Sequence, residues 1–214
     1  MTPAARIGVF GGAFDPPHVG HVIVAQEAVE LLGLDRLLVV PTARPPHRDV
    51  YAKAAERLEV TRLAFAPDRR FEVSDIELRR DGPSWTVDTL EAVGAERRPA
   101  ELTLIMGVDQ YRAFRSWRDP RRIASLARLA VLARRGEEPD ADPEFPCRVL
   151  PVTRVDVSST LVRRRISEGR SIRWLVPEDI RGRVLEIWKR NVNSGEVHGD
   201  GRGRSDRPNA GDGC

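Results

Sequence analysis

Residues 36–41, Arg-Leu-Leu-Val-Val-Pro, form an almost wholly apolar run stopped by a proline. Such a run, without polar alternation, suits a strand covered on both faces, as strands of parallel sheets are. Similar runs recur at 6–11, 102–106 and 129–133, with a weaker one at 148–152 and an alternating stretch at 71–78. Stretches of helical period lie between them. Val22, Ala25, Val29 and Leu32 are spaced by three and four, the signature of one helix face. Residues 51–66 carry Ala55, Leu58, Leu63 and Phe65 among charges, and Asp81-Gly82-Pro83 reads as a turn before a helix capped by Ser84. Helices at 158–168 and 177–190 close the pattern. Strands alternating with helices predict βαβ units. The expected fold is one α/β domain over residues 1–192, Rossmann-like and doubly wound, with a mostly parallel sheet and helices on both faces. Residues 193–214 are polar and glycine-rich, and are expected to form a disordered tail.

In open parallel sheets, ligands gather beyond the carboxyl ends of the strands, where strand order reverses. The first apolar run ends in such a place. Residues 11–21 read GGAFDPPHVGH and hold two of the chain's four histidines. Gly11 and Gly12 let a bulky ligand approach the backbone. Pro16 and Pro17 stiffen the turn, and a helix starting near His18 or Val19 offers N–H groups and a positive dipole end to a phosphate. His18 and His21 then share a face, from which both can donate to a polyphosphate. The pair also suggests zinc, but only His47 and His198 remain and Asp15 is the sole carboxylate nearby. No protein-held metal is expected on that ligand count. Neither G-x-G-x-x-G nor G-x-x-x-x-G-K-[ST] occurs, which sets aside the usual dinucleotide and P-loop sites.

Composition narrows the class further. No stretch approaches the roughly 20 apolar residues of a membrane span, and MTPAARIGVFGG lacks the plan of a secretory signal. The two cysteines, Cys147 and Cys214, make no disulfide framework and point to a reducing cytoplasm. A net charge of +3 is mildly basic. The arginines are scattered rather than clustered with aromatics, which argues against a nucleic-acid partner.

Near the other end of the chain, Ser158, Ser159 and Thr160 bring hydroxyls to a helix start, able to cap it and to bind phosphate oxygens. Arg163 follows one turn on, where a guanidinium can clamp phosphates. GGAFDPPHVGH resembles the first motif of the nucleotidylyltransferase superfamily, G-x-F-x-P-x-H-x-G-H. VSSTLVR at 157–163 resembles its second, I-S-S-T-x-I-R. Three further segments are similar to the bacterial nicotinate-nucleotide adenylyltransferase family. They are Pro45-Pro46-His47-Arg48, Gly82-Pro83-Ser84-Trp85-Thr86 with Asp88-Thr89, and Gly107-Val108-Asp109 with Trp117 beyond. Trp85 stands where that family more usually has tyrosine, and Arg118 where several relatives carry tyrosine or histidine. The resemblance covers about residues 6–190.

The resemblance implies an enzyme of NAD biosynthesis that transfers AMP from ATP to nicotinate mononucleotide, giving nicotinate adenine dinucleotide and pyrophosphate. It implies catalytic roles for His18, His21 and Arg163. The ATP site it implies adds Gly11, Gly12, Phe14, Gly107, Asp109 and Arg134, with Ser159 and Thr160. The mononucleotide site it implies comprises His47, Arg48, Ser84, Trp85, Thr86, Asp109 and Trp117. Trp117 offers a flat face to the pyridine ring, amides near Trp85 and Thr86 can hold a carboxylate, and Asp109 can accept from ribose hydroxyls. Mg²⁺ is expected on the triphosphate, held mainly by phosphates and water. A sister enzyme acting on nicotinamide mononucleotide or phosphopantetheine, or a non-catalytic nucleotide sensor, are the alternatives. The chain is compatible with a homo-oligomer.

Overall fold

The computed structural model describes residues 4–47, 49–134, 137 and 139–194. Arg48, the side chain of Arg134 and residues 195–214 of the expected tail lie outside the described residues. In chain order the elements are β1 (Ala5–Gly12), α1 (Val19–Leu32), β2 (Arg36–Pro41), α2 (Ala54–Phe65), β3 (Phe71–Val73), α3 (Thr86–Glu96) and β4 (Ala100–Gly107). Then come α4 (Val108–Arg112), a 3-10 turn (Phe114–Ser116), α5 (Pro120–Leu126), β5 (Arg128–Arg134), β6 (Cys147–Val152), α6 (Ser159–Ser167) and α7 (Glu178–Ser194).

The strands form one sheet in the order β3-β2-β1-β4-β5-β6, and every pairing among them is parallel. The apolar runs become central strands because each feeds two cores at once. Leu37 and Val39 face one core, and Leu38 and Val40 face the other. Ile105 and Met106 divide the same way. The first core lies under α1, α2, α6 and α7, through Ala28, Val60, Val162 and Val184. The second lies under α3, α4 and α5, through Leu90, Tyr111 and Ile123. Gly33 stops α1 in the left-handed region at φ 60, with its N–H turned back to the carbonyls of Glu30 and Val29, an end suited to glycine. Among the described residues no helix is long and apolar enough to cross a membrane.

Several local expectations change. Only Phe71–Val73 of the alternating stretch forms a strand. Beyond it, the Ser74 hydroxyl accepts the Ile76 N–H at 3.2 Å, and the Leu78 and Arg79 amides turn back to the Asp75 carbonyl. In α2 the buried residues are Arg57, Leu58, Val60, Thr61, Ala64 and Phe65, so Leu58 and Phe65 face inward as expected, while Ala55 and Leu63 are exposed. The cap of α3 is Trp85, not Ser84. α7 extends to Ser194, two residues into the expected tail.

Candidate active site

Strand order reverses between β1 and β4, and the chain leaves β1 there through Gly11 and Gly12. A Cβ on Gly11 would meet nothing within 4 Å, so the strand end stands open. Phe14, by contrast, turns inward at φ 48 and is buried. Its ring meets Phe10 at 5.8 Å and Phe65 at 6.1 Å between centroids, and supports the His21 ring from below at 5.0 Å.

His18 is the N-cap of α1, in extended conformation. Its ring stacks on that of His21, with centroids 3.7 Å apart and planes 28° from parallel. The expected shared face is thus present. His21 Nδ1 accepts the His18 backbone N–H at 3.1 Å, which assigns the ring proton to Nε2 and makes that nitrogen a donor. His18 is buried, and burial pushes its imidazole down to about 4, because the charged form loses its hydration. Among the described residues its Nδ1 has no hydrogen-bond partner. The expected set of free N–H groups at this helix start is smaller than the sequence suggests. The Val19 N–H is taken by the Leu175 carbonyl at 3.0 Å and the His21 N–H by the His18 carbonyl at 2.9 Å, which leaves that of Gly20.

The hydroxyl cluster packs onto this turn. Ser158 caps α6, its hydroxyl accepting the Leu161 N–H at 3.1 Å. The Ser159 hydroxyl donates to the Pro16 carbonyl at 2.8 Å. Arg163 donates to the Asp15 carbonyl at 2.6 Å and to the Thr160 hydroxyl at 3.1 Å, and its guanidinium lies 4.6 Å from the Tyr51 ring centroid. Beneath it, the buried Asp15 carboxylate accepts the Tyr51 N–H, the Ala52 N–H and the Trp188 Nε1–H at 2.8, 3.1 and 2.7 Å. The two distant motifs are therefore one body, with Asp15 as its hub.

A cleft of about 430 Å³ runs from the β1 end across the tip of β4. Gly11, Gly12, His47, Ser84, Trp85, Thr86, Asp109 and Trp117 all line it. Trp117 rests on Phe114 at 5.4 Å between centroids, and His47 meets the Trp85 ring edge-on at 5.8 Å. Asp109, in the first turn of α4, is almost fully exposed and 3.4 Å from Arg112. The Gly107 N–H, at the N-cap of α4, donates to Gln110 Oε1 at 3.0 Å. The Ser84 hydroxyl accepts the Arg44 N–H at 3.1 Å, and the Ser84 N–H returns to the Arg44 carbonyl. Ser84 thus latches two loops, and among the described residues no side chain caps α3. Of Arg134 only the backbone is described, at the end of β5 and paired with Val152. Among the described residues no group of three or more His, Cys, Asp or Glu side chains could hold a metal.

Two supporting side chains escape sequence reasoning. Arg57 is fully buried and donates to the carbonyls of Ala52, Ala13, Thr42 and Ala43 at 3.1, 2.7, 2.6 and 3.0 Å. It ties the loop after β1 to the loop after β2. Glu77, buried at the cleft wall, accepts the Ala43 N–H at 3.3 Å and the Thr89 hydroxyl at 2.7 Å.

A doubly wound sheet whose first helix start carries stacked histidines, braced by an arginine from a distant helix, defines a nucleotide-handling α/β protein. Residues 9–165 match the cytidylyltransferase-like family, and the chain belongs to it. A Thermus thermophilus protein named as a probable nicotinate-nucleotide adenylyltransferase is 47% identical over 183 residues, which are 86% of this chain and 95% of that protein. A Gemmatimonas aurantiaca protein of the same name is 40% identical over 184 residues, 82% of this chain and 87% of that one. In fold, the chain is similar to the Plasmodium falciparum nicotinic acid mononucleotide adenylyltransferase complexed with NaAD. That match has a TM-score of 0.71 and 14% identity, and covers 85% of this chain and 95% of that one.

Proposed function

We propose that this chain transfers AMP from ATP to nicotinate mononucleotide, releasing pyrophosphate. One observation carries the reading. Gly11 and Gly12, which lead into the turn carrying His18, His21 and the Arg163 contact, line the same cleft as Trp85 and Trp117. A flat ring between the indoles then lies beside a strand end that opens onto the histidine turn, which supports a phosphorylated nucleotide as its neighbour.

A phosphate oxygen of the mononucleotide attacks the α-phosphorus of ATP. The new P–O bond forms as the bond to the bridging oxygen breaks, and pyrophosphate leaves with that electron pair. A phosphate is already anionic at neutral pH, so no general base is required. The protein's task is positioning and stabilising charge. His21 donates from Nε2, Arg163 supplies a fixed positive charge, and neutral His18 offers a ring N–H. Ser159 and Thr160 hold the turn and Arg163 in place.

The residues present suit a Mg²⁺ carried by the triphosphate and water. Asp15 already accepts three hydrogen bonds, Glu77 accepts two, and Asp109 alone stands exposed. When bound, the ion would neutralise phosphate charge and so favour departure of pyrophosphate.

Incubation with ATP and Mg²⁺, in parallel with nicotinate mononucleotide, nicotinamide mononucleotide and phosphopantetheine, tests the reading through pyrophosphate release. Fastest release with the nicotinate compound is expected. Release with none of the three would leave a nucleotide sensor in its place.

A further inference from the structure

The 3-10 turn and α5 sit in an arginine-rich stretch, and the arginines there are neutralised with one exception. Arg112 meets Asp109, Arg115 meets Asp142 and Glu144, Arg121 meets Glu144, and Arg122 meets Glu91. Arg118 meets no carboxylate among the described residues. Its guanidinium carbon lies 5.5 Å from the centroid of the Trp85 indole, and both side chains line the cleft.

An arginine laid over an aromatic face uses its π surface and keeps its in-plane N–H groups for another partner. Here those donors sit beside a second source of positive potential. Trp85 is the N-cap of α3, and among the described residues no side chain caps that helix, the Ser84 hydroxyl accepting the Arg44 N–H instead. The first-turn amides of α3 and the Arg118 guanidinium therefore flank one indole. An anion there is drawn by both the helix start and the guanidinium. The indole dictates what the anion is attached to. A flat ring packs on it, whereas a sugar phosphate would put its puckered ribose against the indole.

We propose that Arg118 pairs with the ring carboxylate of the pyridine mononucleotide and so sets the preference for the acid over the amide. The proposal rests on the reading of this cleft as the mononucleotide site. A carboxylate offers two anionic acceptors to a guanidinium fork. A carboxamide offers one neutral acceptor and turns N–H groups toward the remaining donors, so the second bond and the charge are both lost.

The test compares kcat/KM for nicotinate and nicotinamide mononucleotides, at saturating ATP and Mg²⁺, in the wild type, Arg118→Gln and Arg118→Lys. Arg118 is solvent-exposed, so the variants are expected to fold, and thermal midpoints verify it. Arg118→Gln should lower kcat/KM for the acid by about 10–100-fold, mainly through KM. The acid-to-amide ratio should collapse, and Arg118→Lys should recover part of it. An equal loss on both substrates would place Arg118 on the phosphate that they share and overturn the proposal. Unchanged kinetics with the acid would overturn it too. Wild-type protein that turns over neither pyridine mononucleotide would remove the functional reading itself, an outcome distinct from an active enzyme whose ratio ignores residue 118.

Discussion

The Arg163 guanidinium donates to the Asp15 main-chain carbonyl at 2.6 Å across 148 positions of sequence. The same cation holds the Thr160 hydroxyl and lies against the Tyr51 ring, so segments from three parts of the chain fix its position. A lysine has the charge but lacks the fork to bridge a carbonyl, a hydroxyl and a phosphate together. Arg163→Lys is therefore expected to lower kcat by about 10²–10³, the loss typical of one removed oxyanion donor. Steady-state pyrophosphate release measures this. A near-normal kcat would reduce Arg163 to a strut between α6 and the β1–α1 turn.

The buried His18 imidazole makes stability depend on pH with a definite sign. Its folded value is lowered from 6.5 to about 4 by burial. Between those values the unfolded chain binds more protons than the folded one, so stability is full above pH 6.5 and falls as pH falls toward 4. The loss over that window is of order 3 kcal/mol. His18→Asn should flatten this part of the profile, as read from urea midpoints at neutral and acidic pH. An unchanged slope in the variant would assign the acid sensitivity to other groups.

How much of this was legible follows from what each residue touches. The strands at 36–41, 102–106 and 129–133 announce themselves because burial on both faces leaves no room for polar residues. The two nucleotide motifs are legible as chemistry, but their union through Ser159 and Pro16 is a contact between residues 143 apart that no local pattern encodes. Ser84 has the chemistry of a helix cap, yet the Arg44 N–H in the neighbouring loop claims its hydroxyl. α4 and α5, at five and seven residues, are too short to display a helical period. Arg57 reads as one more charge on α2, because its partners come from residues 13, 42, 43 and 52.

That last residue gives a test of how the two loops are held. Arg57→Met keeps much of the side-chain volume but leaves four carbonyls without their charged donor. The expected cost is about 3 kcal/mol or more, since hydrogen bonds to charged groups each contribute about 1.5–3. Denaturant midpoints measure it. Where the variant folds, KM for both substrates should rise together, because the loops after β1 and β2 border both ends of the cleft. A stability loss with unchanged KM values would confine Arg57 to the core.

Gly20 separates stability from catalysis most directly. It occupies the second position of α1, where alanine is the better helix former by roughly 0.5–1 kcal/mol. A Cβ there would stand 3.1 Å from Cε1 and Nδ1 of His18, closer than ordinary contact. The His18 ring has little space to yield, because its other face is stacked on His21 at 3.7 Å. Gly20→Ala should therefore leave the thermal midpoint almost unchanged, the gain in helix propensity offsetting the strain. The displaced imidazole should lower kcat by at least about tenfold, as expected when a catalytic donor is misplaced by a fraction of an ångström. A variant with wild-type kcat would show that the position of the His18 ring does not govern transfer.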